Sequence, residues 1–141
     1  MKGRKRHIVV DTLGLLLAVV VHTADVQDRD GAPLVRARLK GLYCWLQGAF
    51  ADGGYQGPKL EAAIRRQRLV PLEIVRKQPD QVGFKVLPKR WIVERSFAWL
   101  GHQRRLAKDY ELLPEVSEAM VKLAMVRLML RRLTGRENRW T

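Results

Sequence analysis

Apolar and polar positions set a hairpin first and helical periods later. His7-Ile8-Val9-Val10-Asp11 alternates weakly and is rich in β-branched residues, Thr12-Leu13-Gly14 has turn chemistry, and Leu15 to His22 resumes an extended apolar stretch. These segments predict a β-hairpin. Its second strand is apolar almost throughout, which implies burial on both faces, with helices above and below the sheet. From Asp30 the period changes. Pro33 suits a first helical turn, and Leu34, Val35, Leu39, Leu42, Trp45 and Leu46 recur at roughly helical spacing until Gln47-Gly48 stops the run.

Ala49-Phe50-Ala51 reads as a short strand ending at Asp52, where Gly53-Gly54 permits backbone conformations closed to other residues. Pro58 opens a second amphipathic helix through Leu60, Ala63, Ile64 and Leu69, and Leu72-Glu73-Ile74-Val75 reads as another strand. The order β-β-α-β-α-β predicts a mixed α/β sheet flanked by helices. Beyond the polar segment 76–88, one helix is expected over about 89–107. A last helix opens at Pro114, with Glu115 and Glu118 near its positive end. Its apolar side, Met120, Leu123, Ala124, Leu128, Met129 and Leu130, is expected to pack on the domain. There is no internal repeat or low-complexity segment.

The length of 141 residues fits a single domain over 1–141, and 47% apolar content is enough for a core. The longest apolar run, 13–21, contains Gly14 and falls well short of the roughly 20 residues a bilayer needs, so no membrane span is expected. The basic cluster Lys2, Arg4, Lys5 and Arg6 precedes apolar sequence as in a secretory leader. Asp11 interrupts that stretch and no small-residue cleavage site follows, which argues against a leader. Cys44 is the single cysteine, so no internal disulfide or cysteine-paired zinc site can form, and a reducing cytoplasm fits.

A formal net charge of +13 and a pI near 10.7 change the picture most. A cationic surface gains free energy by releasing counterions from a polyanion, so DNA or RNA is the expected partner. Acids beside such a partner need a reason to be there. Phosphoryl transfer supplies one, because it uses carboxylates to hold cations about 3.5–4 Å apart against the reacting phosphate. Asp52 lies at the carboxyl end of a strand, where ligands of open α/β sheets bind; Asp-Gly-Gly is also simply a good turn. Glu94 lies in a helix that Trp91, Ile92, Val93, Phe97, Ala98, Trp99 and Leu100 make apolar nearly all round, which implies burial. Arg90, one turn earlier, offers it a structural ion pair. Equally, Glu94 reads as a metal ligand with Arg90 orienting it or contacting phosphate.

Three segments carry a resemblance that runs nearly end to end: Gly3-Arg4-Lys5-Arg6-His7-Ile8-Val9-Val10-Asp11-Thr12-Leu13-Gly14, Ala51-Asp52-Gly53-Gly54-Tyr55, and Trp91-Ile92-Val93-Glu94-Arg95-Ser96-Phe97-Ala98-Trp99-Leu100 with Arg104-Arg105-Leu106 and Lys108-Asp109-Tyr110-Glu111. The chain resembles the catalytic region of a bacterial insertion-sequence transposase of the DDE class, in the group called IS-five. The resemblance implies an RNase H-like fold, Asp52 as the second acid of the DDE set and Glu94 as its last, together holding Mg²⁺ or Mn²⁺. Arg90 matches the arginine of the family's Tyr-x2-Arg-x3-Glu-x6-Lys signature. Leu87 and Gly101 stand at its tyrosine and lysine positions, so those two roles do not carry over.

The family's first acid lies on a first strand ahead of the Gly-Arg-Lys-Arg-His segment, and this chain is expected to lack that strand and the upstream DNA-recognition region. Asp11 falls at the following hairpin turn, where a local hydrogen-bonding role is expected. The implied reaction is hydrolysis at the transposon end followed by attack of the freed 3′ hydroxyl on target DNA, with the isolated chain deficient. The implied partners are transposon-end and target DNA, the N-terminal portion of the transposase, or a second copy. The alternative is a non-catalytic basic DNA-binding remnant that inhibits full-length transposase. A ribosomal-type RNA-binding protein is a third class, which nothing in the chain favours.

Overall fold

In the computed structural model the described residues are 3–43, 45–69, 71–75 and 90–135, with the Arg90 side chain excepted. Strands β1 (Arg4–Val10) and β2 (Leu16–Thr23) form the expected antiparallel hairpin, with His7 opposite Val20 and a register slip between Val9 and Val10. Asp11 builds its turn. The Oδ1 atom accepts from the backbone N–H groups of both Leu13 and Leu15 at 2.9 Å, and Gly14 follows at φ +83°. That left-handed conformation is one glycine adopts without steric cost.

Because successive strand residues point to opposite faces, the apolar β2 serves two cores. Val19 and Val21 join Leu100, Leu106, Val121 and Met125 on one side, while Ala18 and Val20 join Val35 and Leu39 on the other. Helices therefore cover both faces, as the unbroken apolar run requires. The first core is built with α3 (Arg90–Gly101) and α4 (Pro114–Leu133), the second with α1 (Asp28–Ala37).

Helix α1 departs from expectation at both ends. It starts before Asp30, with Pro33 inside it, and stops ten residues short of Gln47. Gly41 at φ +79° breaks the helical conformation, and Leu42 and Trp45 are 68% and 63% exposed, so the later apolar residues have no surface to dock on. Helix α3 likewise ends at Gly101 rather than near Ala107. The chain turns there and places Leu106 in the first core, where its carbonyl accepts from Arg6 Nη1 at 2.9 Å.

Strand β3 (Ala49–Ala51), helix α2 (Pro58–Gln67) and strand β4 (Leu72–Ile74) fall where the pattern put them. The expected single mixed sheet does not form among the described residues. Instead β1 and β2 make one antiparallel pair, and β3 and β4 make a separate parallel pair with Ala49 opposite Leu72. Helix α4 packs on the first core through Val121 and Met125, with Met120, Ala124, Leu128 and Met129 beside them. Leu123 and Leu130, expected on the same side, are 60% and 56% exposed. No helix among the described residues is long and apolar enough to cross a membrane.

Candidate functional site

Asp52 follows β3 in an extended conformation and caps a single 3-10 turn, Gly53–Tyr55. Its Oδ1 accepts the Gly54 N–H at 3.0 Å, and its carbonyl accepts the Tyr55 N–H at 3.1 Å. The turn reading holds, with the cap occupying Oδ1, and Asp52 also borders a cavity of about 590 Å³. Glu94 of α3 borders the same cavity. Its setting differs from expectation. Glu94 is exposed, and Trp91 and Phe97 are 44% and 39% exposed, so α3 is buried along one side only, through Ile92, Ser96 and Leu100.

Asp11 also reaches the cavity wall, yet both of its turn hydrogen bonds end on Oδ1, giving the local role expected of it. The side chain of Arg90, together with Leu87 and Cys44, lies outside the described residues. Among the described residues, no three His, Cys, Asp or Glu side chains are gathered as a metal-binding group. The donor chemistry of Asp52 and Glu94, two carboxylates on one cavity, suits a hard cation such as Mg²⁺ or Mn²⁺.

The 3-10 turn also presses Tyr55 against β1. Its hydroxyl lies 2.7 Å from His7 Nδ1, and the two rings meet edge-on. Burial first, then the charges of Asp28 and Asp52, push the Tyr55 phenol up to about 12, so it keeps its proton at neutral pH. Burial and then the neighbouring His22 push His7 below the usual imidazole range. His7 and His22 stack at 4.5 Å over Gly31, where a β-carbon would come within 2.6 and 2.7 Å of their Nε2 atoms. Only glycine fits there.

Sequence reading passed over three of these groups. Asp28 bonds Lys5 Nζ at 3.2 Å and, with Asp52, approaches within 3.4 Å of the point where a Gly54 β-carbon would stand. His7 lies in the hairpin but signals nothing about Tyr55, a partner 48 residues away. Arg36 lines the cavity at 4% exposure, and none of its guanidinium nitrogens has a hydrogen-bond partner among the described residues. An arginine on a helix of 28–37 that also holds Asp28, Arg29 and Asp30 gives no hint of burial.

The model of a Transposase DDE domain matches residues 1–129. The chain is 31% identical over 128 residues to a protein described as the transposase for insertion sequence element IS402 of Burkholderia cepacia. That match covers 86% of this chain and 60% of the relative, so the chain spans less than two thirds of the relative's length. No solved structure matches. A family match over nearly the whole chain, with the two acids of its resemblance on one cavity, leads to one conclusion: the chain belongs to the DDE transposase family.

Proposed function

We propose that the chain contributes Asp52 and Glu94 to a metal-dependent DNA cleavage and strand-transfer site built on an RNase H-like arrangement. The observation that supports this most directly is their shared cavity. Asp52 is held there by its cap to Gly54, which fixes Oδ1 and leaves Oδ2 for a cation. Glu94, projecting from an exposed stretch of α3, carries the second carboxylate to the same rim. Bound Mg²⁺ or Mn²⁺ would neutralise phosphate charge and lower the pKa of an attacking water. Arg90, at the start of α3, is proposed to contact phosphate or orient Glu94. Transposon-end and target DNA are the proposed substrates, in the cytoplasm, and a basic chain at +13 attracts either without sequence preference.

The isolated chain is proposed to cleave poorly, since no third acid is gathered with Asp52 and Glu94 as a metal-binding group among the described residues. The same observation favours a second reading, in which the chain binds DNA without cutting it and joins longer transposase copies as an inhibitor. Calorimetric Mn²⁺ titration and cleavage of element-end DNA test the site together. Asp52→Asn and Glu94→Gln are each expected to weaken Mn²⁺ binding at least tenfold while leaving DNA affinity within about twofold. Unchanged Mn²⁺ affinity in both variants would remove these acids from any metal site. Vigorous cleavage by the unmodified chain alone would refute its deficiency.

A further inference from the structure

Asp52 stands where secondary structure constrains the chain least. It follows β3, a strand of three residues whose ladder partner among the described residues is β4, and it precedes two glycines. Glycine loses more backbone freedom on folding than any other residue. A carboxylate that is to hold a cation must nevertheless stay within about 0.5 Å of one place. Two bonds inside the turn act on Asp52 itself, from the Gly54 N–H to Oδ1 and from the Tyr55 N–H to the carbonyl. Both are local. They fix the shape of the turn and leave open where the turn sits.

Tyr55 connects that shape to a rigid part of the molecule. Its hydroxyl lies 2.7 Å from Nδ1 of His7, 48 residues away. His7 is in the middle of β1, 3% exposed, and opposite Val20 in the hairpin ladder. Tyr55 is therefore bonded to Asp52 through its backbone and to the hairpin through its side chain, so one residue ties the acid to the core. Asp28 of α1 also lies against the turn at Gly54. A contact of that kind limits how closely the turn approaches and gives it no direction.

The imidazole is an unfavourable way to fill its place in β1. Nε2 is buried without a hydrogen-bond partner among the described residues, while Nδ1 meets Tyr55. An orphaned buried polar atom is destabilising, and an apolar side chain of similar shape would avoid it. Stability alone gives no reason for histidine here, and the bond to Tyr55 does.

We propose, on the reading of Asp52 as a metal ligand, that Tyr55 and His7 are its positioning residues: their hydrogen bond locks the turn to β1 and holds the free carboxylate oxygen where a cation can use it. Neither residue touches the ion. His7 acts through Tyr55, and Tyr55 through the turn that Asp52 caps.

The test titrates the full 141-residue chain with Mn²⁺ by calorimetry. Tyr55→Phe keeps the ring and removes the hydroxyl, and is expected to weaken Mn²⁺ binding about fivefold. His7→Leu is expected to weaken it as much, and the double variant no further, because either change cuts the same bond. His7→Asn sets an amide where Nδ1 stands, able to donate or accept, and is expected to keep affinity within about twofold. A merely structural role predicts the reverse order, since asparagine would disturb a buried strand position more than leucine. Unchanged affinity in Tyr55→Phe would overturn the proposal, as would a loss in His7→Asn as large as in His7→Leu, or additive losses in the double variant. Asp52→Asn separates the two levels. If it too leaves Mn²⁺ affinity unchanged, the metal reading falls and takes the positioning role with it, whereas a loss there beside none in Tyr55→Phe removes the positioning role alone. Should His7→Leu fail to fold, Tyr55→Phe and His7→Asn still decide.

Discussion

His7 shows how a single side chain makes stability depend on pH. Because burial and then His22 hold its folded pKa below the ordinary value, the unfolded chain binds the proton more readily. The stability this gives is fully present above the unfolded imidazole pKa of about 6.5 and is lost as pH falls below it toward the folded value. Thermal melts are expected to show Tm dropping from pH 7.5 to pH 5, with a smaller drop for His7→Gln. An equal drop in both proteins would place the proton elsewhere. Tyr55 titrates in the alkaline range, where its phenol is expected to ionise near 12 in absorbance titration, a transition that Tyr55→Phe removes. Asp52 and Glu94 were conspicuous in the sequence because an acid before Gly-Gly and an acid inside an apolar helix are both locally out of place, and both border one cavity. Arg36, Asp28 and His7 were not, because what distinguishes them is a distant neighbour or its absence. Arg36 differs from Arg29, the exposed arginine of its own helix, in the wall that folding puts around it.

Elements hold together here through polar contacts at their ends as much as through apolar faces. Ser96 is fully buried in α3 and donates from Oγ to the Gly14 carbonyl at 2.7 Å, while Arg95 donates to the Leu13 carbonyl at 2.9 Å, so α3 grips the hairpin turn. A β-carbon on Gly14 would stand 2.8 Å from Ser96 Oγ. Gly14→Ala is therefore expected to destabilise by about 2 kcal/mol or more, combining an unfavourable positive φ with that clash. Ser96→Ala is expected to cost about 1–2 kcal/mol, from a buried carbonyl left unpaired. Urea denaturation checks both, and no change for Gly14→Ala would mean that the turn relaxes away from α3. On the far edge of the hairpin, Glu118→Ala exposes the Val21 N–H and frees Arg38. Arg38 is already half exposed and can rehydrate, so the loss is expected at about 2 kcal/mol rather than the larger cost of breaking a fully buried pair. Element identity was readable wherever one period persisted, as in the hairpin, α2 and α4. Boundaries failed where apolar residues kept a helical spacing without a surface to cover, as at Leu42 and Trp45. The division into two sheets was hidden because periodicity marks a strand's buried faces and says nothing of which edge it pairs with.

At the scale of the whole molecule, charge dominates, and it separates binding from chemistry. The net charge of +13 is spread over the folded elements rather than confined to a tail, but part of it is already committed. Arg4 bonds the Glu111 carbonyl at 2.7 Å and lies 3.4 Å from Asp109, Arg105 pairs with Glu111 at 2.6 Å, and Arg38 pairs with Glu118. Arg95 lies between Trp91 and Trp99 at 4.6 Å from each ring centroid, and Arg132 covers Trp99 at 4.5 Å. These cations hold the fold together, so the phosphate-neutralising set is smaller than the net charge suggests. Roughly six contacts would give a slope near −5 in log Kobs against log salt, and affinity for random duplex DNA would fall about a thousandfold between 50 and 200 mM salt. Asp52→Asn and Glu94→Gln each add one unit of net charge and remove no cation. They are expected to leave that slope unchanged and to raise affinity slightly at low salt, even where Mn²⁺ binding is lost. Measuring the slope for each variant by anisotropy separates the two functions: a slope near zero would mean that the basic surface does not meet phosphate, whereas a slope that tracks the acids would mean that bound metal, rather than arginine and lysine, carries the contact to DNA.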